Sequence, residues 1–120
     1  MKKVLIVDDE LSISDFLVDI VRLMNYEPKV LTSGAKVLKM AKEWKPDLIT
    51  LDIMMPSPDG IEVLTQLKND PETASIPIFV VSVVADKSEF RDKLSKAQKV
   101  FSKPLDTKKF INDLKDACNP

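Results

Sequence analysis

The chain has 120 residues, 44% of them hydrophobic, and a formal net charge of −1. That is enough for one domain with a real core, and it gives no global attraction to nucleic acid or to an anionic membrane. There is no histidine, and the two glycines, Gly34 and Gly60, lie far apart. Serine triads, cysteine–histidine pairs, histidine-based zinc sites, P-loops and GxGxxG cradles are therefore excluded.

No apolar run approaches the roughly 20 residues of a spanning helix. Met1-Lys2-Lys3 leads into an apolar stretch too short for a signal peptide before Asp8-Asp9 interrupts it. Cys118 has no partner for an internal disulfide, so a reduced, cytoplasmic setting is expected.

Lys3–Val7 is a short apolar run closed by Asp8, Asp9 and Glu10, the pattern of a buried strand. Ser12-x-x-Asp15 resembles a capping box, and Ile13, Phe16/Leu17, Ile20/Val21 and Met24 recur at helical spacing as far as Asn25. Residues 27–32 contain Pro28, which an edge strand tolerates and a central one does not. Ser33 is a candidate cap for a second helix carrying Val37, Leu38, Met40/Ala41 and Trp44, which Pro46 ends. Residues 47–52 read as the third strand. Asp59-x-x-Glu62 caps a third helix with Ile61, Leu64 and Leu67 inward, broken at Asn69-Asp70-Pro71. Residues 77–82 form a continuous apolar fourth strand ending in Ser82. Asp86 or Ser88 opens a weaker fourth helix with Phe90, Leu94 and Ala97 facing in. Residues 99–102 form a short fifth strand, and Asp106 caps a fifth helix carrying Phe110/Ile111, Leu114 and Ala117/Cys118.

Five β-α alternations with no repeat or linker predict a single α/β domain over residues 1–120. The fold is a flavodoxin-like, doubly wound (βα)5 arrangement with a parallel sheet. Right-handed crossovers and the edge-like second strand favour the order 2-1-3-4-5.

In a parallel sheet all strand C-termini share one rim, where ligands of open α/β sheets bind. That rim collects Asp8, Asp9 and Glu10 from the first strand, Asp52 from the third, Ser82 from the fourth and Lys103 from the fifth. Carboxylates on adjacent strands sit roughly 5 Å apart. One such pair at 4 Å and an effective dielectric of about 20 costs on the order of 4 kcal/mol. Lys103 offsets part of this, and an all-oxygen donor set favours Mg²⁺ over zinc. A carboxylate beside Mg²⁺, a lysine and the Ser82 hydroxyl is equipped to receive a phosphoryl group from an external, already activated donor.

Each residue also has a plain structural reading. Asp8-Asp9 could cap the first helix, Ser82 could simply end a strand, and Lys103 could be a surface cation. Glu10 reads as a complement to the helix dipole. The Met54-Met55 pair reads as loop packing, and Lys87, Lys93, Lys96, Lys99, Lys108 and Lys109 as a solvated face with no nucleic-acid role. It is the joint placement at predicted strand ends that favours chemistry.

From end to end the chain resembles a response-regulator receiver domain of two-component signalling, of the chemotaxis-regulator type. The resemblance is carried by Asp8-Asp9 after Val-Leu-Ile-Val and by Asp52 before Ile-Met-Met-Pro-Ser-Pro-Asp-Gly. Ser82 after Phe-Val-Val and Lys103-Pro104 after Val-Phe-Ser complete it. It implies Asp52 as phosphoacceptor, charged in a Mg²⁺-dependent step from a phosphohistidine on a sensor histidine kinase or phosphotransfer protein. It implies Asp9 as direct metal ligand, with Asp52 and the backbone carbonyl of Met54, and Asp8 acting through water. Lys103 would contact the phosphoryl group, the Lys103–Pro104 bond would be cis, and Ser82 would be the switch hydroxyl. The resemblance further implies a regulator rather than a turnover enzyme. Its output face would comprise the loop after the fourth strand, the fourth helix, the fifth strand and the fifth helix.

The chain departs from the family in three places. Val100 stands where an aromatic switch residue is usual, and a stiff β-branched side chain lacks a ring's swing; Phe101 faces the other way. Lys96-Ala97-Gln98-Lys99 replaces a segment that usually begins with glycine, and Val83-Val84 replaces a small residue after Ser82. A monomer is expected, with dimerisation through the fourth helix, fifth strand and fifth helix left open. The target is a downstream partner or a fused output domain. Two alternatives stand beside the switch: a pseudo-receiver interaction domain that is never phosphorylated, and a Mg²⁺-dependent phosphohydrolase with an aspartate nucleophile.

Overall fold

The computed structural model describes residues 1–85 and 87–119. Its elements are β1 (Lys3–Val7), α1 (Leu11–Leu23), β2 (Glu27–Leu31), α2 (Val37–Trp44), β3 (Leu48–Leu51), α3 (Gly60–Asn69), β4 (Ile78–Ser82), β5 (Lys99–Ser102) and α4 (Thr107–Cys118). All four strand pairings are parallel, in the order β2-β1-β3-β4-β5. Pro28 falls on an edge strand, where its missing amide leaves no interior gap in the ladder.

The central strands are apolar on both faces because both are covered. Leu5, Val7, Ile49, Leu51, Ile78 and Val80 pack under α2 and α3. Val4, Ile6, Leu48, Phe79 and Val81 pack under α1 and α4. On that second face Phe79, Phe101 and Phe110 form a mutual aromatic cluster with centroids 5.3–6.1 Å apart, a separation at which tilted and edge-on rings attract. Among the described residues no helix is long and apolar enough to cross a membrane.

The Asp59 cap forms as its residues dictate. Asp59 Oδ1 accepts the Glu62 amide at 3.0 Å, and Glu62 Oε1 accepts the Asp59 amide at 3.1 Å. Asp106 likewise caps α4 through the Lys109 amide. Asn25 and Lys45 take positive φ at the ends of α1 and α2.

Three expectations are corrected. The Ser12-x-x-Asp15 box does not form, since α1 begins at Leu11 with no side-chain cap. The acidic loop takes over that role: Asp8 Oδ1 accepts the Glu10 amide at 2.9 Å, and the Glu10 carbonyl receives the Ile13 and Ser14 amides. Ser33 is not a cap either, because α2 begins only at Val37. Residues 33–36 are held by the close approach of Gly34 to the Pro58 loop, where a Cβ would lie 2.3 Å from the Pro58 carbonyl oxygen.

The third correction is the predicted fourth helix. Ser88–Phe90 form a single 3₁₀ turn, and residues 91–98 continue as turns. Most backbone bonds there run from residue i to i−3, as in Arg91 to Ser88 and Ala97 to Leu94. Of the apolar stripe, only Leu94 is fully buried, and no side chain caps the start. Helices in proteins draw their stability from a packed face, and this one is too narrow. Asp86, the other candidate opener, lies outside the described residues.

Candidate functional site

The site is assembled at the strand C-termini, where β1 and β3 are neighbours and β2 lies on the far side of β1. Val7 is level with Leu51, and the Asp52 amide donates to the Val7 carbonyl at 2.9 Å. This register puts Asp8 and Asp52 side by side. The Asp8 amide donates to the Leu31 carbonyl, tying the same corner to β2. Leu51 is level with Val80, so Ser82 ends β4 at the same rim.

Asp8, Asp9 and Asp52 each bring a carboxylate oxygen within 4.8 Å of the others. Asp8 and Asp52 are buried, at 2% and 5% exposure, while Asp9 is open to solvent. Lys103 reaches in from the end of β5. Its Nζ lies 3.1 Å from Asp8 Oδ2, 3.7 Å from Glu10 Oε1 and 3.8 Å from Asp52 Oδ2. One ammonium thus faces three acids. Burial pushes the Asp8 carboxyl above its ordinary range, and the neighbouring Asp52 adds to this; the Glu10 amide and Lys103 pull it back.

The two buried carboxylates are engaged differently. Asp8 is held on both oxygens, by the Glu10 amide and by Lys103. Asp52 receives only a long bond from the Met54 amide at 3.3 Å and stands off Lys103. Ser82 is fully buried, and among the described residues its Oγ has no hydrogen-bond partner. Such an orphan costs about 1–3 kcal/mol unless another group satisfies it. Thr50 Oγ1 is a second orphan, deeper on β3.

The sequence-selected residues Asp8, Asp9, Asp52, Ser82 and Lys103 therefore share one rim. Met54 lies just beyond Asp52, half exposed, whereas Met55 packs into the core. The Lys103–Pro104 bond is cis, as is Ser57–Pro58. Val100 points outward at 43% exposure, and Phe101 is buried in the aromatic cluster. The sequence places Glu10 on the rim, where it reads as a complement to the helix dipole; the structure adds its approach to Lys103. Gly60 went unexplained: a Cβ there would lie 2.3 Å from the Asp52 carbonyl oxygen and 2.5 Å from Ile53 Cα. The loop after Asp52 folds back onto the site because that residue has no side chain.

An all-oxygen set of three carboxylates suits a hard divalent cation, and the unsatisfied hydroxyl beside an ammonium suits anionic oxygens. The class that fold and site define is a doubly wound α/β domain with an acidic rim at its switch point. Sequence comparison gives the particular family. The response regulator receiver domain profile matches residues 4–115. The polar-differentiation response regulator DivK of Brucella ovis is 37% identical over 116 residues, covering 95% of this chain and 94% of that protein. Chemotaxis protein CheY4 of Vibrio cholerae superposes with a TM-score of 0.88 at 24% identity, covering 98% of each chain. The receiver domain of the sensor histidine kinase PA1611 of Pseudomonas aeruginosa, described with a magnesium ion in its active-site cleft, superposes at 0.89 with 17% identity, covering 99% of this chain and 98% of that one. The chain belongs to the response regulator receiver domain family of two-component signalling.

Proposed function

We propose that this receiver domain is a phosphorylation-dependent switch in which Asp52 accepts a phosphoryl group from the phosphohistidine of a sensor histidine kinase or phosphotransfer protein. The observation that carries the reading is the contrast at the rim. Asp8 is bonded on both oxygens, while Asp52 keeps a carboxylate oxygen near Lys103 at 3.8 Å, on a rim that also holds a buried Ser82 hydroxyl with no hydrogen-bond partner among the described residues.

In the proposed reaction an Asp52 oxygen attacks phosphorus, the phosphorus–nitrogen bond of the donor breaks, and the electron pair leaves with the imidazole. The product is an acyl phosphate on Asp52. Lys103 would exchange its contacts with Asp8 and Asp52 for a phosphoryl oxygen, and Ser82 Oγ would donate to another. Asp9, Asp52 and the Met54 carbonyl would hold Mg²⁺ directly, with Asp8 contributing through water. A bound Mg²⁺ would supply charge neutralisation for the transferring oxygens. The same groups admit slow hydrolysis of the acyl phosphate, so the domain assists its own charging and resetting without acting as a turnover enzyme.

The signal would leave through Ser82. Its carbonyl accepts the Ala85 amide at 3.3 Å and the Lys103 amide at 3.2 Å, so a shift of Ser82 toward the phosphoryl group would draw on the segment after β4. The proposed setting is the cytoplasm, where an unpaired Cys118 stays reduced, with the domain acting as a monomer on a downstream target or fused output domain.

Incubation with acetyl phosphate and Mg²⁺ tests the reading by intact mass. The wild-type chain should gain one phosphoryl group, and neither Asp52→Asn nor a Mg²⁺-free sample should. Equal labelling of Asp52→Asn would remove the acceptor assignment.

A further inference from the structure

The chain has two glycines, and both lie against the loop that runs from Asp52 to α3. Gly60 meets the start of that loop, at the Asp52 carbonyl and Ile53. Gly34 meets its far end and comes from another part of the chain, the β2–α2 connection. A Cβ on Gly34 would lie 2.3 Å from the Pro58 carbonyl oxygen, 2.7 Å from Val63 Cγ2 and 3.2 Å from Pro58 Cγ. Neither glycine has a positive φ, so it is close approach, not a left-handed turn, that requires glycine at both places.

The two sides of the Gly34 contact are not equally free. The β2–α2 connection is tied at both ends: the Asp8 amide donates to the Leu31 carbonyl at 3.1 Å, and the amide of fully buried Val37 donates to the Gly34 carbonyl at 3.3 Å. In the loop opposite, Ile53 and Met55 are anchored in the core, but Met54, Pro56 and Ser57 are exposed. A side chain at position 34 would therefore push the Pro58 end of the loop more than its own connection. Met54 lies in that loop, four residues before Pro58.

We propose that Gly34 is a positioning residue for the divalent-cation site. By letting the β2–α2 connection close onto Pro58, it sets the course of residues 53–58 and with it the presentation of the Met54 carbonyl. The proposal rests on the ligand set given above. Mg²⁺ demands near-ideal octahedral geometry, and a misplacement of about 1 Å can cost on the order of 100-fold in a preorganised site. A purely structural role makes a different prediction: the obstruction at Val63 would lower stability and leave the cation's affinity alone.

The test is calorimetric titration of Mg²⁺ into the full chain without phosphodonor, with unfolding in chelator measured on the same variants. Gly34→Ala should weaken Mg²⁺ about tenfold or more. Thr73→Ala removes a buried bond to the Leu67 carbonyl at the other end of α3; it should lower stability and leave Mg²⁺ affinity unchanged. In Gly34→Ala the Mg²⁺ concentration for half-maximal labelling by acetyl phosphate should rise by the same factor as the affinity falls. Unchanged Mg²⁺ affinity in Gly34→Ala overturns the proposal, as does an equal loss in Thr73→Ala. Should Gly34→Ala fail to fold, the wild-type chain supplies the second measurement. Coupling is reciprocal, so saturating Mg²⁺ should slow hydrogen exchange at the Val37 amide, which the Gly34 carbonyl holds, more than at the Thr73 amide. The same change at both amides overturns the proposal. Intact mass after acetyl phosphate treatment separates this from the acceptor reading. Weakened Mg²⁺ in Gly34→Ala with no mass gain in the wild-type chain would leave Gly34 its role and remove the phosphoacceptor reading; a normal mass gain with unchanged Mg²⁺ affinity in Gly34→Ala would do the reverse.

Discussion

Lys103 Nζ donates to Asp8 Oδ2 across 3.1 Å, joining two strand ends that are 95 residues apart in the chain. Both side chains are nearly closed to solvent, at 9% and 2% exposure. The pair is one ammonium set against a surplus of carboxylates, so it organises the rim without neutralising it.

Removing the ammonium should be costly. Lys103→Met leaves buried Asp8 and Asp52 facing each other without a cation, a loss expected to lower stability by about 3 kcal/mol. Urea denaturation in chelator checks the size, and added Mg²⁺ should restore part of it.

Removing a carboxylate should do the opposite. Asp52→Asn relieves like-charge repulsion and leaves Lys103 paired with Asp8, so it should raise stability by about 1 kcal/mol in chelator. Mg²⁺ should then stabilise the wild-type chain more than the variant, because a ligand stabilises in proportion to its affinity for the folded state. A lower melting temperature for Asp52→Asn in chelator would contradict this.

Gly60→Ala should disturb the site without touching a charge. The new methyl meets backbone atoms of Asp52 and Ile53 within 2.3–2.5 Å, so main chain must shift. Overpacking of this kind typically costs about 1–3 kcal/mol. Thermal unfolding reads the stability loss, and the rate of labelling by acetyl phosphate should fall with it.

Two cap substitutions should separate. Asp59→Ala removes the side-chain acceptor of the Glu62 amide, one of the two bonds of the α3 capping box, and should cost about 1 kcal/mol. Ser12→Ala removes only a 3.4 Å bond to the exposed Glu10 side chain and should be close to neutral. Chemical denaturation of the two variants side by side gives the comparison.

Cys118 should be inert in the folded chain. Burial pushes its thiol from 9.0 up to about 11, with Asp47 adding and Lys2 opposing. The unfolded chain ionises near the ordinary value while the folded chain stays protonated. This residue's contribution to stability should therefore fall between about pH 9 and pH 11 and be level below that. Cys118→Ala should flatten the slope, and alkylation of the native protein at pH 8 should be slow compared with the denatured chain.

Strand placement and the acidic rim were legible because they depend on short-range signals. Continuous apolar runs ending at Asp8, Asp52 and Ser82 encode buried parallel strands, and Pro28 marks the edge. The caps at Asp59 and Asp106 were readable because each serves its own helix. Ser12 and Ser33 misled because their helices start where tertiary contacts put them: the Asp8–Glu10 turn in one case, the packing of Gly34 on the Pro58 loop in the other. The segment after β4 carried the right apolar period, but period alone does not say how much of a stripe will be buried. Leu94 alone could not hold a helix there. The contact of Glu10 with Lys103 and the crowding at Gly60 are long-range facts that no local pattern announces.

The central claim is that Asp52 carries the phosphoryl group. The direct measurement is to treat the chain with acetyl phosphate and Mg²⁺, reduce it with borohydride, which converts an aspartyl phosphate to homoserine, and locate the change by tandem mass spectrometry. Conversion at Asp52 alone, lost when Mg²⁺ is withheld, is the predicted result. Conversion at Asp8 or Asp9, or none at Asp52 despite a gain in intact mass, would contradict the account.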